Sequence, residues 1–390
     1  MVNMKRVLLI HTDGNTFNNP TLKSVIDLLL EKEVEVTIRY PQNFSRMPIL
    51  PGVLLLPFGK AYQNIKNIVF KKLCWEWLSL VSVSLENKFI YRKYDLVIGV
   101  DRQGLIEAGF LYRLEKFPFV FFSFEIMFES ETSIKFKSLE RKAAMFTKQW
   151  FVQDELRAFH LQRENQFSPA TRTLLPLASS GLPEVHLKRL RDRLGVPLEK
   201  KVVIAIGGIS DWTMTYEIIS SVSTWPDDWV LIVHDRYGRT EIELARLGCH
   251  LNEMRMGSVY ISNDASILVD DMSEILAGVS AGLALYRPNY RGPYTGKNLE
   301  YLGLASGKIS TYLRYGVPPI MNDIGSYSNL AKEYGFGLVT KDAEGIGSLL
   351  ATLIDSSWSE RALKFYREHL DFRNYRDSVW EKMCEAAASN

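Results

Sequence analysis

Among the 390 residues of this chain, Lys308 has the surroundings that most invite a chemical role. It lies in Leu304-Ala-Ser-Gly-Lys-Ile-Ser-Thr-Tyr-Leu-Arg-Tyr-Gly-Val-Pro-Pro-Ile320. Ser306 suits an N-cap, and Ile309, Tyr312 and Leu313 at i, i+3 and i+4 give an apolar stripe. Gly316 and Pro318-Pro319 then close the helix. Lys308 falls in the first helical turn, where the helix dipole disfavours a cation. The placement makes sense if an anion binds there, because free N–H groups, dipole and ammonium would all point at it. Spacing alone leaves a second reading open, a solvated lysine at a frayed helix start.

Commoner anion and metal chemistries do not fit. Gly307-Lys308 is followed by Ile309, and position 302 is Leu, so the P-loop spacing with its magnesium-binding Ser/Thr is missing. No GxGxxG follows the first apolar run, there is no Asp-x-Asp pair, and none of the six histidines pairs at metal-ligand spacing. Cys74, Cys249 and Cys384 are scattered and odd in number, which fits a reducing cytoplasm better than a disulfide framework. With 47 basic against 45 acidic side chains the net charge is +2, too balanced for a general nucleic-acid binder.

Positioning such a lysine requires a framework, and the apolar pattern supplies one. Arg6–Ile10, Val34–Tyr40, Leu96–Val100, Phe119–Phe122 and Trp150–Val152 read as strands, with helices predicted over Leu22–Lys32, Arg102–Glu115, Leu139–Lys148 and Asp154–Gln166. The rhythm breaks across Ala178–Lys200 and resumes with strands at Val202–Ile206, Val230–Val233, Val259–Ser262, Ala281–Tyr286, Val317–Met321 and Gly337–Thr340. Helical patterns at Thr213–Val222, Thr240–Leu247, Met272–Gly278, Ile309–Tyr315 and Glu344–Ile354 separate them, and Ser357–Asn390 reads as one or two amphipathic helices. Short apolar runs spaced by helices predict parallel sheets, hence an α/β chain of two Rossmann-like domains with ligands at the strand carboxyl ends. The expected division is an N-terminal domain over 1–180, a linker over 181–200, a second domain over 201–370, and a helix over 371–390 packing back on the first.

The run Lys308-Ile-Ser-Thr-Tyr-Leu-Arg-Tyr-Gly-Val-Pro-Pro-Ile320 resembles a segment of GT-B glycosyltransferases, above all the large retaining family that uses nucleotide-sugar donors. The resemblance implies two Rossmann-like domains facing across a cleft, with a lysine on the donor diphosphate and an acid three positions on holding the ribose. Thr311 stands where the acid is usual, a weaker partner for a hydroxyl than a carboxylate. Ile204-Ala-Ile-Gly-Gly-Ile209 is similar to the family's glycine turn near the donor phosphates, which assigns Gly207 and Gly208 to the donor side; an ordinary tight turn is the other reading. Ser266–Leu276 resembles the nucleobase-side segment, with Asp270 as candidate contact or helix cap. In the irregular loop Arg287–Gly303 and just after it, Asn298, Tyr301 and Ser306 are the candidates for sugar or phosphate contacts.

On the N-terminal side, Glu125 ends the strand-like run Phe119–Ile126 and is the candidate base or stabiliser beside its aromatic neighbours, or alternatively a capping or paired glutamate. Gly14, in the loop after the first strand, is expected to let an acceptor approach the backbone. Gln153, Asp154 and Arg157 resemble the family's interdomain helix start and read as positioning residues. By resemblance the chain is a glycosyltransferase with Glu125 and Lys308 as catalytic groups. It would move sugar from a nucleotide sugar to a saccharide or lipid-linked acceptor, with retention and with no metal or other cofactor. A nucleotide-sugar epimerase and a non-catalytic carbohydrate-assembly subunit are the alternative readings.

Two features bear on location. The first residues offer only four consecutive apolar residues before His11, too few for a signal-peptide core. Between Lys60 and Lys93, seven basic residues interleave with Phe70, Trp75, Trp77 and Phe89, a composition suited either to an anionic membrane surface or to a solvated helix face. The expectation is a cytoplasmic protein in peripheral contact with the inner membrane face.

Overall fold

The structure is a computed structural model that describes residues 4–12, 16–41, 50–58, 64, 68, 76–90, 93–184, 189–236, 240–246, 257–262, 271–353 and 356–389. It divides into two compact units, one made of Met1–Leu177 with Phe372–Asn390, the other of Ala178–Asp371.

Unit 1 is built on strands β1 (Arg6–Ile10), β2 (Glu35–Pro41), β3 (Val53–Phe58), β4 (Leu96–Val100), β5 (Phe119–Phe122), β6 (Gln149–Val152) and β7 (Arg172–Leu174). They form one sheet in the order β3-β2-β1-β4-β5-β6-β7, and every pairing is parallel. The strands β4 and β5 are buried along their whole length, which is why they are continuous apolar runs rather than alternating ones. Helices Pro20–Glu31, Asp101–Glu115, Ile134–Ala144 and Glu155–Asn165 are among those joining the strands. Strand β3 falls outside the periodic expectation; it carries Pro57 and sits at the sheet edge, where a missing N–H is tolerated. The helix expected from Leu139 begins five residues earlier, because Ser133 caps it by accepting from the Phe136 N–H at 3.2 Å. After Asp371 the chain rejoins unit 1 through the helix Arg376–Ala388, whose Val379, Met383, Ala386 and Ala387 are buried in the same core as Val25, Ile98 and Phe122.

Unit 2 repeats the plan with β8 (Lys201–Gly207), β9 (Trp229–Asp235), β10 (Val259–Ser262), β11 (Ala281–Ala284), β12 (Pro319–Met321) and β13 (Leu338–Val339). The order is β10-β9-β8-β11-β12-β13, again all parallel. In each unit the strand order therefore reverses once, between β1 and β4 and between β8 and β11. That reversal is where the crossovers diverge and leave a crevice at the strand carboxyl ends. The stretch expected as a linker is partly core: Leu190 and Val196 are buried in unit 2, with a helical turn at Leu190–Arg193. The chain's entry and exit of this unit are tied together, the Tyr366 hydroxyl donating to the Ser179 carbonyl at 2.7 Å and the Gly181 N–H to Asp371 at 3.0 Å.

One contact fixes the helix Gly307–Arg314 on this sheet. Tyr312 is fully buried, and its hydroxyl accepts from the Ile206 N–H at 3.1 Å while lying 3.2 Å from the carbonyls of Ile204 and Leu283. The ring is admitted only because position 282 is glycine: a Cβ there would come within 2.6–2.7 Å of three ring atoms. Among the described residues, no helix is long and apolar enough to cross a membrane.

Removing the Tyr312 hydroxyl leaves the buried Ile206 N–H without its acceptor. Tyr312→Phe is expected to destabilise unit 2 by about 1–3 kcal/mol, and Gly282→Ala by about as much through overpacking. Urea unfolding followed by tryptophan fluorescence checks both; unchanged midpoints would show that neither contact supports the helix.

Candidate functional site

The carboxyl ends of β8 and β11 collect the polar groups of unit 2. The β8 strand ends on Gly207 at φ +117°, a conformation that side-chain-bearing residues rarely adopt. A Cβ at Gly207 would meet Lys308 Cε at 3.4 Å and Nζ at 3.7 Å, so the lysine lies directly over this turn. Lys308 sits one residue inside the helix Gly307–Arg314, whose N-cap Ser306 accepts from the Ile309 N–H at 3.3 Å. That bond satisfies one first-turn amide and leaves those of Gly307 and Lys308 without an acceptor among the described residues. The Gly208 and Ile209 amides are likewise without an acceptor among them.

The ammonium is as unusual as the turn. Among the described residues Lys308 has no carboxylate partner, and burial pulls its pKa down to about 8. Its Nζ lies 5.3 Å from the centre of the Tyr286 ring, a modest cation–π contact. Tyr286 follows β11 and is held from three sides. Its N–H donates to Asn322 Oδ1 at 2.9 Å, its carbonyl accepts from Asn322 Nδ2 at 2.7 Å, and its hydroxyl is 2.8 Å from Ser306 Oγ. The ring also stacks on Trp212, with centroids 6.0 Å apart and planes 13° apart. A half-buried cation and unpaired amides from two turns, held by a rigid aromatic support, form a site ready for an anion.

The other residues expected at this site have varied fates. Ser306 is buried and committed to capping and to Tyr286, so it supports the helix. Thr311 donates its hydroxyl to the Gly307 carbonyl at 2.7 Å, one turn back, so it can only accept from a ligand hydroxyl. Asn298 is buried in the short helix Lys297–Glu300 and donates to the Tyr294 carbonyl at 3.3 Å. Tyr301, the residue after that helix, is half-buried. Asp270 and Gly14 lie outside the described residues. Tyr286, Trp212 and Asn322 were missed; Asn322 directly follows β12, but Tyr286 lies two residues past β11 and Trp212 five past β8, so no common sequence signal marks them.

In unit 1 the equivalent strand ends hold a buried charged cluster. Asp101, in the left-handed region at φ +52°, accepts from the N–H groups of Phe124 and Glu125 at 2.7 and 2.9 Å. It thereby fixes the turn that carries Glu125. The surround of Glu125 is less apolar than its aromatic neighbours suggest, because its charge acts on the buried guanidinium of Arg157. Arg157 donates to Gln153 Oε1 and to the Phe124 carbonyl, both at 2.8 Å, and Asp154 caps the helix that Arg157 occupies. These three residues brace the Glu125 turn within unit 1, a role that the sequence reading placed between domains. Arg157 has its pKa lowered by burial, opposed by the charges of Glu125, Asp154 and Asp101. His11, after β1, is buried with Nδ1 3.3 Å from Thr16 Oγ1 and Nε2 3.9 Å from Asp101.

No protein-family model and no curated protein sequence matches the chain. Solved structures do match. The Anabaena protein Alr3699/HepE in complex with UDP has a TM-score of 0.64 at 12% identity, over 98% of this chain and 100% of that one. Sucrose-phosphate synthase from Thermosynechococcus elongatus has a TM-score of 0.67 at 11% identity, over 99% and 100%. A glycosyltransferase from Rickettsia africae ESF-5 has a TM-score of 0.64 at 10% identity, over the whole of both chains. At such identities the likeness is one of fold: the chain has the GT-B architecture of two Rossmann-like α/β units.

Burial pushes the His11 pKa down to about 4 from 6.5, against the distant pull of an Asp101 carboxylate already bonded to two amides. A folded pKa below the unfolded one means stability is complete above about pH 6.5 and declines as pH falls towards 4, by about 3 kcal/mol. An NMR titration of the His11 ring should show it neutral at pH 5. A measured pKa above 6.5 would mean that the pair with Asp101 outweighs burial.

Proposed function

We propose that this chain is a glycosyltransferase that binds the diphosphate of a nucleotide sugar in unit 2 and transfers the sugar to a saccharide or lipid-linked acceptor. The observation that carries the proposal is the contact of Lys308 with the Gly207 turn, an ammonium without a carboxylate partner at two backbone turns whose amides have no acceptor among the described residues. Support comes from structures of the same fold, among them one solved with UDP and those of a sucrose-phosphate synthase and a glycosyltransferase.

In the transfer step the bond between the anomeric carbon and the diphosphate oxygen breaks, and its electron pair stays on that oxygen. The acceptor hydroxyl oxygen bonds to the anomeric carbon and loses its proton. Lys308 and the amides of Gly208, Ile209, Gly307 and Lys308 are donors aimed at the charge that gathers on the departing diphosphate. Preorganised donors of this kind act strongly because they need no rearrangement as charge develops. Glu125, held by Asp101, is assigned as the base that takes the proton of the acceptor hydroxyl, and Gly14 is assigned to the acceptor by resemblance alone. Retention of configuration, and charge neutralisation by Lys308 without a metal, belong to the proposal. Contact with an anionic membrane also belongs to it, supported by Trp77, 71% exposed within the basic stretch. Co-sedimentation with phosphatidylglycerol vesicles, and none with phosphatidylcholine, is the expected result; equal pelleting with both would remove the claim.

Calorimetric titration with UDP and other nucleoside diphosphates, then turnover with the matching nucleotide sugars, tests the core reading. Lys308→Ala should weaken diphosphate binding about 10–100-fold by loss of a charged hydrogen-bond donor, and slow transfer about 10²–10³-fold. Because the diphosphate prefers the ammonium, affinity should be highest below pH 8 and fall as pH rises through that value. Full activity in Lys308→Ala would sink the assignment. Isomerised nucleotide sugar without acceptor would point to an epimerase, and no nucleotide binding at all to an assembly subunit.

A further inference from the structure

Unit 2 has a second concavity at the opposite end of its sheet. Lys201 and Gly207 are the first and last residues of β8, and the cavity lies against Lys201. Its volume is about 270 Å³, and Ser280, Pro318, Leu353, Trp358 and Ser359 also line it. It shares no residue with the Lys308 site.

The lining has a definite chemistry. Trp358, in the helix Ser357–Phe365, is half-buried and is held in place by Arg361, whose guanidinium carbon is 4.4 Å from the ring centre. Arg361 is itself tied to the Gly335 carbonyl at 2.6 Å and to Ser357 Oγ at 2.7 Å, so the indole is a fixed wall. The indole N–H and the hydroxyls of Ser280 and Ser359 make no hydrogen bond to any described residue. Lys201 contributes little net charge, because its Nζ is 3.0 Å from Asp228 and 5.2 Å from the centre of the Trp229 ring.

We propose that this cavity is a binding site for one neutral sugar ring, separate from the nucleotide site. A fixed aromatic wall meets the apolar C–H face of a pyranose, while uncommitted hydroxyls and an N–H match its equatorial hydroxyls. The volume lies just below the ~300–1,000 Å³ of pockets for drug-sized ligands, a fit for one ring rather than an extended chain. The neutralised lysine disfavours a sugar phosphate or other anion. Such a site would hold a saccharide unit remote from the reacting end of a glycan. It does not depend on the glycosyltransferase reading, since it requires neither nucleotide binding nor turnover.

Saturation-transfer NMR on the full chain tests this, with glucose, galactose, N-acetylglucosamine, maltose and cellobiose as probes and glucose 6-phosphate as the charged control. At least one neutral probe should bind, with ring protons receiving the transfer. Trp358→Ala should weaken that binding at least about tenfold, equivalent to about 1.4 kcal/mol. Ser280→Leu, which fills the cavity and deletes no core side chain, should do the same if Trp358→Ala fails to fold. Lys308→Ala should leave sugar binding unchanged. The proposal is overturned if no neutral probe binds, if only the phosphate ester binds, if both cavity variants bind normally, or if Lys308→Ala alone abolishes binding.

Discussion

The placement of the Lys308 helix rests on a phenol wedged against a glycine. Tyr312 inserts its ring over Gly282 and its hydroxyl reaches the backbone of β8 and β11 together, at Ile206, Ile204 and Leu283. Those two strands flank the point where the strand order reverses. The helix bearing Tyr312 is thus pinned across the crevice that parallel-sheet topology opens, and its amino end falls over the Gly207 turn. Four residues before Tyr312, one turn towards that end, is Lys308. Burial also drives the Tyr312 pKa upward, so the phenol stays neutral and keeps its proton for the carbonyls.

Burial acts on three cationic side chains in different ways. His11 can shed its proton, and it sits neutral near Asp101 without an ion pair of its own. Arg157 cannot shed one at physiological pH, so its burial is offset by hydrogen bonds to Gln153 and Phe124 and by three carboxylates around it. Lys308 is intermediate: burial lowers its pKa only to about 8, so at neutral pH it keeps its proton, and among the described residues it has no carboxylate partner. A desolvated ammonium with no carboxylate beside it is destabilised, a cost that an anion bound there would relieve. The contrast separates groups whose charge is answered within the fold from one whose charge is not.

The two units show how one backbone plan is turned to different uses. Each places the residues of interest at the carboxyl ends of the strands next to the order reversal: His11 and Asp101 directly after β1 and β4, Gly207 as the last residue of β8, and Tyr286 two residues after β11. In unit 1 the aspartate spends its hydrogen bonds inward, on the amides of the Glu125 turn. In unit 2 the glycine turn and the helix start leave their amides open. An internally satisfied strand end shapes a surface, whereas an unsatisfied one can bind.

Local pattern made much of this legible. Fully buried strands are apolar runs, and helices between them carry their own stripe, so the two parallel α/β units follow from periodicity. The Lys308 helix was readable for the same reason: Ser306, the stripe and Gly316 are all local signals. Strand β3 was not, although residues 53–56 are themselves an apolar run, because Pro57 argues against a strand interior and only the edge position accommodates it. Nor could the sequence show that Ser306, Thr311 and Asn298 each have a partner within the fold, at Ile309 and Tyr286, Gly307 and Tyr294. By itself, then, the sequence determined the α/β class and which lysine sits in the first turn of its helix. Only the tertiary structure decided that Lys308 meets Gly207 and leans on Tyr286 while Asp101 grips residues 124 and 125. Those pairings depend on strand order and crossover geometry, which join residues distant in the chain and leave no period in the sequence between them.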